Sequence, residues 1–583
     1  MRKLLRLLRW RLWIQEKLQP TEWQVTLLWA GLAGFLGALS SLVFTALAEG
    51  VHSVLSGSDL GVVESMRRLP WWGCLLVPAL GGACAGLILL LGRRLTRKQS
   101  STDYMEAIAI GNGRIELRAS LIKSAAALFS IGSGGSIGRE GPMVQLAAVI
   151  ASWLGRLQGF TPPQLRLLVA CGAAAGIASA YNAPIAGSFF VAEIILGTIA
   201  MESLGPLVVS AVVATLTVRV LTAAHVLYRV PEFKLGSPLE MGPYVVLGLV
   251  AGTLAPWFLR SLRQSEGFFI ALKLPLVARL AFGGLLVGGI AVNVPQVAGN
   301  GYSVVVEILN GELPWRLLIG IFACKWLATM SSFGSGAPGG IFTPALFMGA
   351  SAGYLFGTGI HAVWPAAAQD PRAFALVGMG AFLSAASRAP VMAVIMLFEM
   401  TLSYDIILPL MLCNVIAYYT AKGFEDRSLY SDVLKRKAEE QPAANAFALS
   451  RVSDLMKPKP PVMPANARFA DIANSFLKER INNIYVTDDA ARFLGVVALH
   501  DIKPYLHEPD IAELVIARDI MREDFPHVGP DQPLTEALGR FIGITAERLP
   551  VVAENGELLG SLSKSDLLLA LVEKRKKPGE AAA

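Results

Sequence analysis

The sequence has 583 residues, of which 54% are hydrophobic and 16% are charged, and its formal net charge is +7. Soluble proteins carry about 25% charged residues, so this composition excludes a soluble protein and predicts several membrane-spanning helices. The basic residues lie mainly beside apolar segments, which argues against a nucleic-acid partner. The six histidines and five cysteines show no metal-ligand or CxxC spacing, so we expect no enzyme, no metal and no resident cofactor.

The N-terminal segment, MRKLLRLLRWRLW, is basic and amphipathic, and predicts a helix lying on the membrane surface over residues 1–20. The positive-inside rule places this end in the cytoplasm. Two long apolar spans follow, at about 25–47 and 71–91. Further apolar helices run from about 119 to 421, and many are too short or too rich in glycine to be simple spans. They predict tilted and re-entrant segments rather than a plain bundle.

Two glycine-rich segments repeat within this apolar region. GSGGSIGREGP at 132–142 and GSGAPGGIFTP at 334–344 share five positions at a constant offset of 202, and each precedes an apolar helix. A helix N-terminus has free N–H groups and a partial positive charge, so two such ends are suited to binding one anion. Paired interrupted helices are typical of transport sites, whereas the alternative is that these glycines only pack helices together.

A second matched block, 168–193 with 376–399, indicates that the whole membrane part is duplicated, with repeats at about 21–222 and 236–435. The composition then changes. Residues 436–450 form a charged linker, and 451–574 have an α/β pattern that is itself duplicated, at about 451–508 and 516–574. Residues 575–583 form a short terminal tail.

The motifs GREGP at 138–142, NAP at 182–184 and GIFTP at 340–344 resemble those of the CLC family of chloride channels and chloride/proton antiporters. The resemblance covers about residues 20–440, and TDYMEA at 102–107 suggests the bacterial ClcB-like branch. The C-terminal part resembles a pair of CBS domains. The resemblance implies a polytopic all-α membrane protein with inverted repeats and re-entrant broken helices, followed by a cytoplasmic α/β CBS pair. It also implies a homodimer, with an anion pathway in each subunit, in the bacterial inner membrane with both termini cytoplasmic.

The resemblance also assigns site residues. Glu140 would be the gating glutamate, which competes with the anion for the same N–H donors, although a plain helix-capping acid is the alternative. The anion would be held by Thr102, Gly138, Arg139, Gly141, Ile341, Phe342 and Tyr430. Tyr430 taken alone is also typical of an interfacial anchor.

Two departures from the family pattern leave alternatives open. Thr102 stands where the family usually has serine, and Asp103 beside it adds an acid, so nitrate or fluoride competes with chloride as the transported anion. Ile194 stands where many antiporters carry an internal acid. A voltage-gated-type passive chloride channel and a proton-coupled exchanger therefore both remain open, and protons are a partner only in the second.

In CBS pairs that bind nucleotides, a hydroxyl residue faces phosphate and an aspartate three residues later holds ribose. Ser563 and Asp566 fit this pattern, while Asp501 follows Ala498 and fits less well. Adenine nucleotide is therefore the predicted ligand of the tail, and a dimerisation module is the alternative. A cation-coupled symporter is disfavoured because the intramembrane acids lie on separate helices. A sensor with a mere membrane anchor is disfavoured because an anchor needs no duplicated anion loops.

Overall fold

The computed structural model describes residues 22–95, 103–109, 111–197, 199–222, 228, 241–365, 370–425, 450–458, 460–479, 483–499, 501–502, 514–541 and 548–567. The chain divides into two compact units, Met1–Leu434 and Lys435–Ala583. Several predicted features lie outside the described residues: the N-terminal helix 1–20, Thr102, Tyr430, almost all of the linker, and the terminal tail.

In its described residues, the first repeat of the membrane unit consists of helices joined by short loops. Its helices are α1 (Glu22–Ser56), α2 (Val62–Arg68), α3 (Trp71–Leu95), α4 (Tyr104–Ala109), α5 (Leu117–Gly132), α6 (Glu140–Leu157), α7 (Pro162–Tyr181), α8 (Pro184–Phe189) and α9 (Met201–Thr222). A π-helical segment, Phe190–Leu196, continues α8. The first span, predicted at about 25–47, is longer than expected. At 35 residues, α1 exceeds the roughly 20 that cross a bilayer upright, so it tilts or projects beyond the membrane.

The second repeat is built in the same way. Its helices are α10 (Met241–Ala271), α11 (Leu276–Asn293), α12 (Tyr302–Asn310), α13 (Trp315–Gly334), α14 (Phe342–Val363), α15 (Pro371–Ser387), α16 (Pro390–Thr401) and α17 (Ile407–Phe424). Among the described residues of the whole chain, nine helices are long and apolar enough to cross a membrane. The short helices α8 and α16 are apolar but too short to cross alone, which confirms the prediction of interrupted segments.

The two repeats are related by an approximate two-fold axis. Gly138 and Gly340, which are equivalent positions in the repeated loops, pair with each other in an antiparallel bridge. Antiparallel self-pairing of equivalent residues is what a two-fold axis between them produces. Glu193 and Glu399 show the same two-fold relation. Glu193 accepts from backbone N–H groups at the start of α16, the helix that contains Glu399, and Glu399 accepts from those at the start of α8, the helix that leads to Glu193. The halves are therefore inverted, as the sequence resemblance implied.

The second unit contains two small sheets. Their strands are β1 (Lys457–Pro458), β2 (Val462–Pro464), β3 (Asn483–Thr487), β4 (Phe493–Ala498), β5 (Arg548–Val552) and β6 (Leu558–Ser563), with helices α18 (Phe469–Glu479), α19 (Ala517–Ile520) and α20 (Leu534–Phe541). The strand orders are β2-β3-β4 and β1-β6-β5.

Each half of the tail contributes a short extended segment to the edge of the other half's sheet. Lys457 of the first half pairs with Ser561 of the second, and Arg522 of the second half pairs with Val496 of the first. The two pairs are equivalent, because Arg522 lies 65 residues after Lys457 and Ser561 lies 65 residues after Val496. Each half therefore completes the other's sheet, which explains why the duplicated pattern behaves as one compact unit.

Candidate functional site

Two helix N-termini meet at the paired glycine loops. The Gly138 N–H donates to the Gly340 carbonyl at 2.7 Å, and the Gly340 N–H donates to the Gly138 carbonyl at 2.8 Å. Helix α6 begins two residues after the first glycine, and α14 begins two residues after the second. The bridge therefore brings the positive ends of both helices to one point.

The carboxylate of Glu140 occupies this point. Its side chain belongs to the first turn of α6 and is only 4% exposed. Oε1 accepts from the backbone N–H of Phe342 at 2.9 Å and of Thr343 at 3.2 Å, while Oε2 accepts from the Thr343 hydroxyl at 3.1 Å. These donors belong to the opposite repeat. A negative group is therefore held by the start of α14, as expected for an anion site at a helix N-terminus.

The two bridging positions have no room for a side chain. A Cβ atom at Gly138 would lie 2.1 Å from Oε2 of Glu140, and one at Gly340 would lie 2.4 Å from Oε1. Real Cβ atoms do not approach other atoms this closely. The glycines visible in the sequence are thus required because the carboxylate lies directly against the backbone.

A second layer of side chains surrounds the carboxylate. The Tyr181 hydroxyl lies 2.9 Å from the Thr343 hydroxyl. The Tyr181 ring packs on the Phe342 ring at 5.1 Å, and Phe190 contacts the same ring at 6.3 Å. Tyr181 and Thr343 were not predicted as site residues: Thr343 lies within the GIFTP motif, but its hydroxyl was given no role, and Tyr181 is 162 residues away in the chain.

Helix α13 supports the first glycine loop from behind. Ser332 accepts from the Ser136 N–H at 3.0 Å, and the Thr329 hydroxyl lies 3.1 Å from the Ser136 hydroxyl. One turn earlier on the same face, the fully buried Lys325 donates to the carbonyls of Val297 at 2.8 Å and Gly299 at 2.6 Å. The positions 325, 329 and 332 lie on one helix face because they are four and three residues apart.

The segment that Lys325 holds is itself joined to the first loop. The Gly299 N–H donates to the Gly134 carbonyl at 3.0 Å. On the other side of that loop, Nδ1 of the buried His52 donates to the Gly132 carbonyl at 2.8 Å, and Nε2 lies 3.0 Å from the Ser65 hydroxyl. The loop before Glu140 is therefore fixed from two directions, by side chains that the sequence analysis did not identify.

The remaining predicted site residues lie as follows. Arg139 is the residue before α6. Gly141 lies in the first turn of α6, against the backbone of Gly339 and Gly340. Ile341 precedes α14. The second amide that meets the carboxylate belongs to Thr343, one residue beyond the predicted pair of Ile341 and Phe342, because Phe342 and Thr343 are the first two residues of the helix.

Glu193 and Glu399 cap helices. Glu193 accepts from Val391 at 3.3 Å and Met392 at 2.7 Å, at the start of α16. Glu399 accepts from Ile185 at 3.0 Å and Ala186 at 2.8 Å, at the start of α8. These contacts give Glu193 a structural role, and both Glu193 and its neighbour Ile194 lie in the π-helical segment.

The end of α17 is bound to α10 by arginines. Glu425 accepts from Arg260 at 3.0 Å and Arg263 at 2.6 Å. Burial raises the pKa of the Glu425 carboxyl, but the hydrogen bonds from Arg263 and Arg260 outweigh that effect and hold the pKa below its usual range. The last membrane helix therefore ends at a fixed point, just before the segment that contains Tyr430.

In the tail, both predicted aspartates form ion pairs. Asp501 pairs with Arg522 at 2.6 Å, and Asp566 pairs with Lys457 at 2.8 Å. The Asp566 N–H lies 3.5 Å from the Ser563 hydroxyl. The two ion pairs are also equivalent under the 65-residue offset between the halves of the tail. In each pair the cation belongs to one half and the aspartate to the other. Within the part of the chain that the structure describes, no cluster of acidic, histidine or cysteine side chains is suited to a metal ion.

Comparison with known proteins identifies the membrane unit. Residues 81–422 match the voltage gated chloride channel family, and residues 452–508 and 517–573 match the CBS domain family. The chain therefore belongs to the CLC family. The ClcB-like chloride channel protein of Ralstonia nicotianae is 48% identical to this CLC chain over 415 residues, 70% of this chain and 97% of that protein. The voltage-gated ClC-type chloride channel ClcB of Salmonella typhi is 42% identical over 413 residues, 69% of this chain and 97% of that protein.

Solved structures agree with this assignment. A slow cyanobacterial Cl⁻/H⁺ antiporter aligns with a TM-score of 0.63 and 26% identity, over 71% of this chain and 98% of its own. A eukaryotic CLC transporter shares the fold, with a TM-score of 0.61 and 18% identity, over 93% of this chain and 97% of its own. The protein is thus a membrane protein of the CLC chloride channel and transporter family, with a CBS pair after its membrane unit.

Proposed function

We propose that the donors around Glu140 form the anion site of a passive chloride channel, and that Glu140 is its gate. The observation that carries this proposal is the carboxylate held by the Phe342 and Thr343 amides. A carboxylate oxygen is a small, acceptor-only anionic group, and chloride makes the same demand on N–H donors. The carboxylate and chloride therefore compete for the same N–H donors. Protonation of Glu140 would remove its negative charge and weaken its binding to those donors.

A channel is the first candidate because no carboxylate stands at position 194. A proton that moves through an apolar region needs ionisable groups as intermediate stations. Glu193, next to Ile194, is engaged with the amides of Val391 and Met392. A proton route that begins in this segment would have to disrupt a helix cap.

The second candidate is chloride/proton exchange. It is favoured by the likeness to the cyanobacterial Cl⁻/H⁺ antiporter, which extends over nearly the whole of that protein at 26% identity. Nitrate and fluoride remain alternatives as the transported anion, since Thr102 and Asp103 depart from the usual motif of the family.

The test is anion efflux from proteoliposomes under a chloride gradient, with external pH recorded, for the wild type and Glu140→Ala. For the channel we expect chloride efflux without coupled proton movement, and efflux from Glu140→Ala that no longer depends on external pH. Uphill proton movement that is lost in Glu140→Ala would replace the channel by the exchanger. Absence of chloride, nitrate and fluoride flux in both proteins would overturn anion transport by this chain.

We further propose that the protein is a homodimer in the bacterial inner membrane with both termini cytoplasmic.

We also propose an adenine nucleotide as the ligand of the CBS pair, at Ser563, Asp566 and Asp501. A nucleotide ribose would have to displace Lys457 from Asp566 or Arg522 from Asp501. Calorimetric titration with ATP and AMP tests the ligand. No heat and no change of melting temperature at millimolar nucleotide would leave the dimerisation module as the explanation.

A further inference from the structure

We propose that the Thr343 hydroxyl is a third donor to the transported anion, and that Tyr181 is the positioning residue that aims it. This inference rests on the proposed function, because it takes the Glu140 carboxylate to mark the place of the anion. The α14 amides of Phe342 and Thr343 donate to Oε1 of that carboxylate, and the Thr343 hydroxyl donates to Oε2 at 3.1 Å.

The direction of the two hydroxyl hydrogen bonds follows from the number of hydrogens. An ionised carboxylate only accepts, so the single hydroxyl hydrogen of Thr343 points to Glu140. The Thr343 oxygen can then only accept from Tyr181, whose hydroxyl lies 2.9 Å away. Tyr181 donates to Thr343, and Thr343 donates into the site.

The same order of donors suits a halide ion. Chloride has no hydrogen to give, so it would receive the Thr343 hydrogen without any reversal of the pair. The direction would be lost without Tyr181, because the Thr343 hydroxyl would be free to turn towards other acceptors. Donors that are already aimed at a charge stabilise it without the cost of reorganisation.

Packing keeps this pair in place. Tyr181 is 4% exposed and Thr343 is 5% exposed, so bulk water does not compete for their hydrogen bonds. The Tyr181 ring rests on the ring of Phe342, the residue that supplies the first amide of the site. One aromatic contact therefore positions both the amide donor and the side chain that orients the hydroxyl donor.

A directed hydroxyl discriminates among anions. A hydrogen bond to an anion strengthens as its charge is concentrated in a smaller volume, because the donor and the charge come closer together. The hydroxyl therefore favours chloride over large anions with diffuse charge, such as thiocyanate. We infer that Thr343 contributes to anion specificity as well as to affinity.

The experiment measures chloride binding to the full-length protein in detergent by isothermal titration calorimetry. The Glu140→Ala background is used because its site is free of the carboxylate. Hydrogen bonds to charged groups contribute about 1.5–3 kcal/mol, so Thr343→Val should weaken chloride binding by roughly tenfold or more. Thiocyanate binding should fall less. Thr343→Ser, which keeps the hydroxyl, should retain most of the affinity.

Tyr181→Phe removes only the orienting hydroxyl. It should weaken chloride binding by less than Thr343→Val, and it should add little when combined with Thr343→Val, since its effect passes through Thr343. Thr358→Val is the matched control. It makes the same change on the same helix, at a hydroxyl that bonds within the helix to Tyr354, and it should leave chloride affinity unchanged.

The outcomes separate this inference from the proposed function. If Glu140→Ala binds chloride and the double variant Glu140→Ala/Thr343→Val binds it equally well, the Thr343 hydroxyl bonds only to the carboxylate. The inference is then wrong, but the proposed anion site is not contradicted. Additive effects of Tyr181→Phe and Thr343→Val would overturn the positioning role of Tyr181. If Glu140→Ala binds no chloride, the proposed anion site is overturned and this inference falls with it.

Discussion

At the scale of single residues, the site depends on how closely the backbone approaches the Glu140 carboxylate. Both oxygens are in hydrogen bonds, and both lie against glycines where a Cβ atom would overlap them. The smallest addition of volume should therefore act on the gate without changing any charge. A substitution of this kind tests whether gating depends on where the carboxylate lies, separately from whether it is charged.

Gly340→Ala tests this position. Its Cβ atom would lie 2.4 Å from Oε1, so the carboxylate must leave its place on the Phe342 amide. We expect chloride flux that loses most of its dependence on external pH, as in Glu140→Ala, measured by efflux from proteoliposomes. Gly205→Ala, on α9 with nothing within 4 Å of its Cβ position, is the control. An unchanged pH profile for Gly340→Ala would mean that the carboxylate does not occupy this site in the membrane.

The sequence predicted part of this site and missed the rest for a physical reason. Glycines, a proline and an acid in a short apolar segment are a local pattern, so the sequence could assign Glu140 and Phe342 to one predicted site, and the structure places the two residues in contact. Thr343, Tyr181 and Lys325 are common residue types whose roles depend on partners brought close only by folding. The roles of Thr102 and Tyr430 stay predictions.

At the scale of elements, the repeats are joined by reciprocal caps. Glu193 satisfies the first N–H groups of α16, and Glu399 satisfies those of α8. A helix start without such a partner loses about 1 kcal/mol. Each repeat thus stabilises a short helix of the other, and neither helix is long enough to be stable by itself.

Glu193→Ala and Glu399→Ala should each lower the thermal unfolding midpoint in detergent by a few degrees, followed by tryptophan fluorescence. The two effects should be similar in size because the contacts are equivalent. Glu49→Ala removes an exposed acid from the interior of α1, away from either end of the helix, and should have little effect. A shift for only one of the two caps would contradict the equivalence.

Helix α13 provides a second element-scale prediction. Lys325→Met would leave the carbonyls of Val297 and Gly299 without their donor, and Gly299 holds the loop that precedes Glu140. Small displacements of a reacting or binding group cost up to about a hundredfold in rate, so we expect chloride flux to fall roughly tenfold or more. Arg316→Gln removes an exposed charge from the same helix and should leave flux unchanged. Equal flux for both variants would mean that the loop does not depend on Lys325.

At the scale of the whole molecule, the two units differ in how far relatives account for them. The Ralstonia relative aligns over 97% of its own length, and this alignment spans only 70% of this chain. The fold of both units was predictable, since apolar length and duplicated patterns are properties of the sequence. The exchanged strand edges of the tail were not, because pairing between halves leaves no local pattern.

A chain that ends after Leu434 should therefore retain chloride flux in proteoliposomes, since the membrane unit holds the whole of the described site. Restoration of full flux only by the complete chain would mean that the tail supports transport directly. Size-exclusion chromatography of the shortened protein would separate that result from a failure to fold.

The offset of 202 residues has a consequence for the gate. It makes Phe342 the counterpart of Glu140, so the gate is held by the amide of its own equivalent residue. Two identical half-chains joined about the same axis would have presented either two glutamates or none. Two carboxylates in one small site repel each other, and one of them would remain protonated. A single gate therefore requires two halves of different sequence, and this chain provides them, with an acid at one copy of the position and an apolar residue at the other.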